Sequence, residues 1–247
     1  MNGREKRHHI LHLSSWALML LTIATIATLY LKTPTSSTIQ LPPNHYAIFA
    51  YGSLLNKISM ERTLGRTYDG PLIPAEIKGW KRSWSIRYPN DTYYYEEDGK
   101  LVYPENIIYL NIEKNEESVV NGIIFIVSEK ELREFDKREL VYDRIKVTHK
   151  LTEKLISGGP VYTYVAKPEY FIKNLRATTE TAIRKEYIDI VSQGAKSLGT
   201  SFHHDFEKNS AAIPTHIVVD AKRDESTPYT GIVSSREKST EKKRSES

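Results

Sequence analysis

From Ile10 to Leu31 the chain runs for 22 residues without an Asp, Glu, Lys or Arg, and the rest of the architecture has to be arranged around that run. As a helix rising ~1.5 Å per residue it would extend ~33 Å, enough to cross the ~30 Å hydrocarbon core of a bilayer. The expectation is a transmembrane anchor over 10–31, its apolar core starting nearer Trp16 because His12, Ser14 and Ser15 weaken the first turn. A cleaved signal peptide is the alternative, since Ala24, Thr25 and Ala27 resemble a cleavage site, although its apolar stretch is ordinarily only ~7–15 residues. Arg4, Lys6 and Arg7 precede the run and only Lys32 follows it before Lys57. That asymmetry puts residues 1–9 in the cytoplasm and the remaining chain outside it.

What is left of the 247 residues amounts to one ordinary domain. Charge says little about its partners. The net +4 comes from the two ends, and positions 10–235 hold 27 charges of each sign, so nothing in the balance argues for nucleic acid. The chain has no cysteine, which excludes a thiol nucleophile, a disulfide framework and thiolate metal sites.

Thr33 to Asn44 is rich in Thr, Ser and Pro and reads as a spacer over 32–44. The domain is expected over 45–220. Tyr46–Tyr51, Ile73–Trp84, Ile107–Ile112, Val119–Val127, Tyr142–Thr148 and Val161–Ala166 read as strands, with a polar loop or hairpin over Tyr88–Tyr103. Ser128 followed by Glu131 is a capping box that opens a short helix carrying Leu132 and Phe135 on one face. Ala182, Ile183, Tyr187, Ile190 and Val191 recur at helical spacing before Gly199, and a second helix spans about Ser201–Lys208. Beyond Asp220 apolar periodicity stops, so 221–247 is expected to be a disordered tail. Strands followed by helices indicate α+β rather than alternating architecture.

The common catalytic signatures are missing: no P-loop, no dinucleotide-binding glycine pattern, no His-Glu-x-x-His and no Gly-x-Ser-x-Gly. His203 and His204 are adjacent and so do not share a helical face as metal ligands would. Neither a metal nor a cofactor is expected.

An ordered set of blocks remains: Phe49-Ala-Tyr-Gly-Ser-Leu54, Gly79-Trp80 with Arg82 and Trp84, Val120 to Phe125, Phe135-Asp-Lys-Arg-Glu-Leu-Val-Tyr142, and Tyr187 seven residues before Gly194-Ala195. In that order, over about His45 to Asp220, they resemble the gamma-glutamylcyclotransferase-like family, whose members commonly carry Asn after Gly-Ser where Leu54 stands here. The resemblance implies a small mixed β-barrel with flanking helices. It also implies cyclisation of a small gamma-glutamyl substrate to 5-oxoproline with release of an amine. On it, Glu139 becomes the candidate general acid/base, and Phe49, Ala50, Tyr51, Gly52, Ser53, Leu54, Tyr142 and Tyr187 the candidate substrate-binding residues.

The chemistry suits these residue types on its own terms. In such a substrate the α-amine attacks the γ-carbonyl, and well-positioned intramolecular attack reaches effective molarities of order 10⁵ M or more. The protein therefore needs no nucleophile of its own, only a proton carrier and donors for the oxyanion. Glu139 lies at a helix-to-strand junction beside Leu140 and Val141, whereas Glu129, Glu131 and Glu134 fall on the expected wet face. The plainer reading of Glu139 is a solvated glutamate paired with Arg138. The Gly52 turn can present consecutive N–H groups to an anion or be a simple tight turn. Arg144 is a candidate ion-pair partner of Glu139 or of a substrate carboxylate. A non-catalytic binding module for carboxylate ligands is the alternative function, and oligomeric state is left open.

Overall fold

The structure, a computed structural model, describes residues 38–173, 175 and 181–226. Chain order gives strands β1 (Ile39–Gln40) and β2 (His45–Ala50), helix α1 (Lys57–Leu64), strands β3 (Ile73–Pro89), β4 (Tyr93–Glu97), β5 (Lys100–Val102) and β6 (Asn106–Ser128), and helix α2 (Glu129–Arg138). There follow β7 (Tyr142–Lys146), β8 (Ile156–Ser157), β9 (Val161–Ala166), β10 (Thr181–Arg184), α3 (Lys185–Ser197), α4 (Thr200–Lys208), β11 (Val218–Val219) and β12 (Lys222–Arg223).

The backbone of the fold is the long antiparallel hairpin of β3 and β6, in register from Ile73↔Ile124 to Pro89↔Asn106. The polar Asn115–Ser118 have no partner on β3, because the register slips from Lys78↔Val119 to Trp80↔Lys114. This is why β6 reads as two apolar strands in the sequence yet runs through as one. On its other edge β6 pairs with β2 through Ile123–Ser128 and with β10 through Asn106–Ile107. Between those two segments, among the described residues, no strand covers that edge, and the candidate site is built there.

Alternation along the strands fills two apolar layers. Ile48, Ala50, Ile123, Phe125 and Val127 face Leu132 and Phe135 of α2 and Tyr187, Val191 and Ala195 of α3. Ala47, Phe49, Tyr51, Ile112, Val120 and Ile124 pack on the opposite face with Trp80, Val147 and Val161.

The α+β class is observed, but several expectations need correction. The mixed sheet runs in the order β11-β10-β6-β2-β9-β7 with β3 on β6. Among the described residues its end strands are not paired to each other, so in place of a barrel closed by strand pairing there is an open path. The expected transmembrane helix is also corrected. No helix among the described residues is long and apolar enough to cross a membrane. The 13 residues of α3, at ~1.5 Å each, fall well short of the ~30 Å required. The run Ile10–Leu31 itself lies outside the described residues, and the signal-anchor, the membrane contact and the placement of the domain outside the cytoplasm are not carried forward. Ala182 and Ile183 belong to β10 rather than to a helix, since β10 is held in parallel pairing by β6 and β11. Ordered structure also continues past Asp220, where Lys222–Arg223 pairs with Tyr93–Tyr94.

Candidate active site

The ends of two elements meet at the uncovered edge of β6. The first is the exit of β2, where Ala50 passes into Tyr51 and Gly52 and a 3₁₀ turn over Ser53–Leu55. Asn56 then caps α1, its side chain accepting from Ser59 N at 3.1 Å. Leu55 N closes the turn onto Gly52 O at 2.9 Å, which leaves the N–H groups at its start as donors without an intrahelical acceptor.

The second is the end of α2. Its start is fixed by the reciprocal capping box of Ser128 and Glu131, and its rotation by Leu132 and Phe135, both buried. Residues three and four beyond Phe135 fall on the same face, so Arg138 and the C-cap Glu139 turn inward instead of into solvent. Glu139 N is held by Phe135 O at 2.9 Å.

Glu139 does pair with Arg138, Nε to Oε1 at 3.1 Å, but the side chain is only 14% exposed and the pair is not a solvated surface one. The same guanidinium donates to Ser59 O at 2.7 Å, to Thr63 Oγ1 at 2.6 Å, to Ser59 Oγ at 2.9 Å and to Ser53 Oγ at 3.1 Å. Arg138 therefore ties the carboxylate to α1 and to the turn after Gly52. Burial raises the Glu139 carboxyl above the usual carboxylate range, and Arg138 opposes that rise.

Phe49 to Leu54, Glu139, Tyr142 and Tyr187, together with Leu110, Thr163 and Tyr164, line one cavity of about 40 Å³. The sequence-expected residues are thus brought to one place from the β2 exit, the α2 end, the β7 start and the α3 start. At its back, Leu110 offers a backbone pair that no strand takes: Tyr142 Oη donates to Leu110 O at 3.0 Å, and Leu110 N donates to Tyr187 Oη at 3.4 Å. The Tyr187 hydroxyl still has its own proton to give. A Cβ placed on Gly52 would lie 3.6 Å from it, so the turn and the hydroxyl face each other closely. Tyr51 Oη donates to Tyr164 O at 2.7 Å. Burial pushes the hydroxyls of Tyr51, Tyr142 and Tyr187 up, with nearby Glu139 adding to the rise at each, so all three are protonated donors at neutral pH.

Arg144 does not join this group. It pairs with Asp136 at 2.7 Å and lies over the Tyr162 ring, while Asp136 also accepts from Tyr164 Oη at 2.9 Å. Sequence reasoning missed Leu110, Thr163 and Tyr164, which carry no local signal. Arg138 had one, its spacing from Phe135. Beneath the turn lies Arg82, fully buried, whose Nε donates to Tyr51 O at 2.9 Å and whose other donors go to Asn121, Phe206 O and Ser210 Oγ. Burial pushes its pKa down to about 9, so it stays charged at neutral pH and fixes the turn from below.

The cluster can bind an anion at the turn, donate hydroxyl hydrogen bonds and move a proton at one carboxyl. No protein-family model matches the sequence, and no curated protein matches it. Solved structures do. An uncharacterized protein from Homo sapiens aligns over 68% of this chain and 90% of its own, at 16% identity and a TM-score of 0.46. A gamma-glutamyl cyclotransferase from yeast, described as specific to glutathione, aligns over 70% and 90%, at 10% identity and a TM-score of 0.36. With TM-scores below one half, these remain resemblances, and the chain is likewise similar to a solved gamma-glutamyl cyclotransferase over 81% of its own length and 99% of that chain, at 18% identity and a TM-score of 0.47.

Proposed function

We propose that the chain is a gamma-glutamylcyclotransferase-type enzyme that converts a small gamma-glutamyl compound to 5-oxoproline and a free amine, with Glu139 as general acid/base. The observation that carries this reading is an inward carboxyl of raised pKa on the same 40 Å³ cavity as the Gly52 turn and the hydroxyl of Tyr187. A cavity of that size admits one small functional group, which suits a γ-carbonyl with the rest of the substrate in the mouth.

In the reaction the substrate's α-nitrogen forms a bond to its own γ-carbon, and the bond from that carbon to the leaving nitrogen breaks. Glu139 takes a proton from the attacking nitrogen and delivers one to the leaving amine, so no external water is consumed. The N–H groups of the turn and the Tyr187 hydroxyl are the donors available to the oxyanion or to the substrate's carboxylate. Incubation with glutathione and several gamma-glutamyl amides, with 5-oxoproline detected by mass, tests the assignment. Turnover of at least one is expected, and turnover of none removes it.

Arg138 gives this reading a pH signature. Glu139 must be ionised to accept the first proton, so kcat/KM rises with pH through its pKa. Arg138→Met removes the cation that opposes the effect of burial, and the acidic limb is expected to move to higher pH. Arg138→Lys, which keeps the charge and loses the fork, should hold the limb nearer its original position while the rate falls through the loosened Ser53 turn. A limb that stays put in Arg138→Met, measured as kcat/KM against pH, removes Arg138 from this role.

A further inference from the structure

Among the described residues β6 and β9 share no ladder, and one buried side chain joins them instead. β2 pairs with β9 only through Val161 and Tyr162, so the end of β9 has no strand on that side. There Tyr142 faces Ala166 across the β7–β9 pair, and the ladder bond beside them runs from Lys167 N to Val141 O at 3.0 Å. The Ala166 N–H therefore points away from β7. It donates to Asn111 Oδ1 at 2.9 Å, and Asn111 is a β6 residue only 1% exposed.

The amide is held from behind in one orientation. A backbone N–H can only donate, so the oxygen of Asn111 faces Ala166 and its Nδ2 donates to Ser85 Oγ at 3.1 Å. Ser85 is the extra residue of the bulge where β3 slips from Trp84↔Leu110 to Ile86↔Tyr109. Its Oγ lies 2.8 Å from Ser83 Oγ, and Ser83 gives its own proton to Glu113 Oε1. Ser85 must then accept from Asn111 and donate to Ser83. The chain runs one way, from the amide to a carboxylate, and fixes Asn111 to β3.

The other end of the amide leads to the candidate site. Lys167 follows Ala166, and besides its backbone bond to Val141 its Nζ donates to Leu140 O at 2.7 Å. Leu140 and Val141 are the two residues after Glu139. Tyr142, opposite Ala166, donates to Leu110 O at 3.0 Å, and Leu110 is the neighbour of Asn111. Asn111 itself lies outside the cavity.

We propose that Asn111 is a positioning residue, which sets the spacing between the segment carrying Glu139 and Tyr142 and the β6 edge at Leu110, where the Tyr187 hydroxyl is held. The inference rests on the reaction proposed above, since it is there that the proton carrier and the oxyanion donors have to stand at a fixed separation. Asn111 touches neither the reacting group nor Glu139. It acts through Ala166 and Lys167 on one side and through Leu110 on the other.

The test is kcat per folded molecule of the full chain, well below melting, with glutathione and the gamma-glutamyl amides as substrates. Asn111→Ser is too short to reach Ala166 N and leaves room for water, so it removes the bridge with little strain. Its kcat and kcat/KM should fall together by about tenfold or more, as when an arrangement completed only in the transition state is loosened. Asn111→Asp keeps one oxygen for Ala166 N, and Ser85 can turn its proton to the other, so most of the parent kcat should return. A residue that only stabilised the fold would lower the melting temperature of Asn111→Ser and leave kcat per folded molecule alone. That result, or an Asn111→Asp as slow as Asn111→Ser, overturns the inference and leaves the reaction standing. If the parent turns over none of these compounds, the reaction falls, and the bridge is read instead from the Glu139 carboxyl carbon, titrated by NMR. Facing that carboxyl are Arg138 from its own helix and the hydroxyls of Tyr51, Tyr142, Tyr164 and Tyr187, which stay protonated throughout. With the bridge gone the site takes in water, and the midpoint should drop toward the ordinary carboxylate range. A midpoint that is the same in Asn111→Ser and the parent overturns the inference on its own.

Discussion

Glu139→Gln is expected to lower 5-oxoproline formation by about 10²–10⁴-fold, the range that a positioned proton carrier contributes, while the protein stays folded. The amide keeps the shape of the side chain and an oxygen for Arg138 Nε, but it cannot take a proton from the attacking nitrogen. The same variant makes a second prediction, opposite in sign, about stability. The folded pKa of Glu139 is raised, by burial first, with Arg138 opposing. A carboxyl raised in this way contributes stability that is complete below its unfolded value of ~4.3 and is lost as pH rises through the folded value. Above that pH the ionised group is held in a setting less favourable than water, and glutamine is not. Glu139→Gln should therefore be no less stable than the parent at neutral pH, and its advantage should grow between acid and neutral pH. Urea unfolding at pH 4 and pH 8, beside the product assay, checks both halves. An active variant ends the role of Glu139, and a variant much less stable at pH 8 shows that the Arg138 pair, not the burial, dominates there.

That the carboxyl turns inward was only half legible in the sequence. The capping box and the spacing of Leu132 and Phe135 define where α2 begins and which side it buries, and position 139 follows four residues after Phe135. Reading Arg138 as a solvated partner came from its charge. Its real setting, against Ser53, Ser59 and Thr63, depends on α1 lying alongside, a contact between residues 75 to 85 positions apart. Local patterns carry the strands, the caps and the Gly52 turn because those are decided within a few residues. Leu110 and Tyr164 were invisible for the opposite reason. Leu110 lines the cavity because that edge of β6 is paired at both ends and open between them, and Tyr164 because β9 lies beside β2, and both registers are properties of the whole sheet. The two-strand reading of β6 failed where Asn115–Ser118 interrupt the apolar run, since polar residues without a partner on β3 look the same as a loop. The division of the chain into elements was thus read well in the core and poorly where pairing overrides composition, as at Ala182 and Ile183.

Gly194→Val is expected to destabilise the protein by about 3 kcal/mol, at the upper end of what forced overpacking of a close contact produces. The position lies inside α3, where glycine is a poor helix former, so the substitution should gain stability of up to ~1 kcal/mol if propensity alone decided. Packing decides instead. A Cβ at Gly194 would sit 2.6 Å from Asn56 N, 2.7 Å from Leu55 C and 3.0 Å from Asn56 Cα. These are backbone atoms of the turn that follows Gly52, so no flexible side chain can swing away and the helix itself must shift. At ~2–4 °C per kcal/mol for a domain of this size, the melting temperature should drop by about 6–12 °C. Gln193→Val, at the exposed neighbouring position, makes a similar change without the clash and should move it far less. The consequence for activity follows from periodicity. Tyr187 lies seven residues earlier on the same face of α3, so moving the helix off the Leu55–Asn56 turn also moves the Tyr187 hydroxyl off Leu110 N and away from Gly52. A displacement of the order of 1 Å in a positioning group lowers rates by ~10²-fold, and a loss of that size is expected at temperatures where Gly194→Val is still folded. If the variant melts with the parent and turns over at the parent rate, α3 does not hold the turn and the hydroxyl in register, and the close approach of Gly194 is incidental to the site.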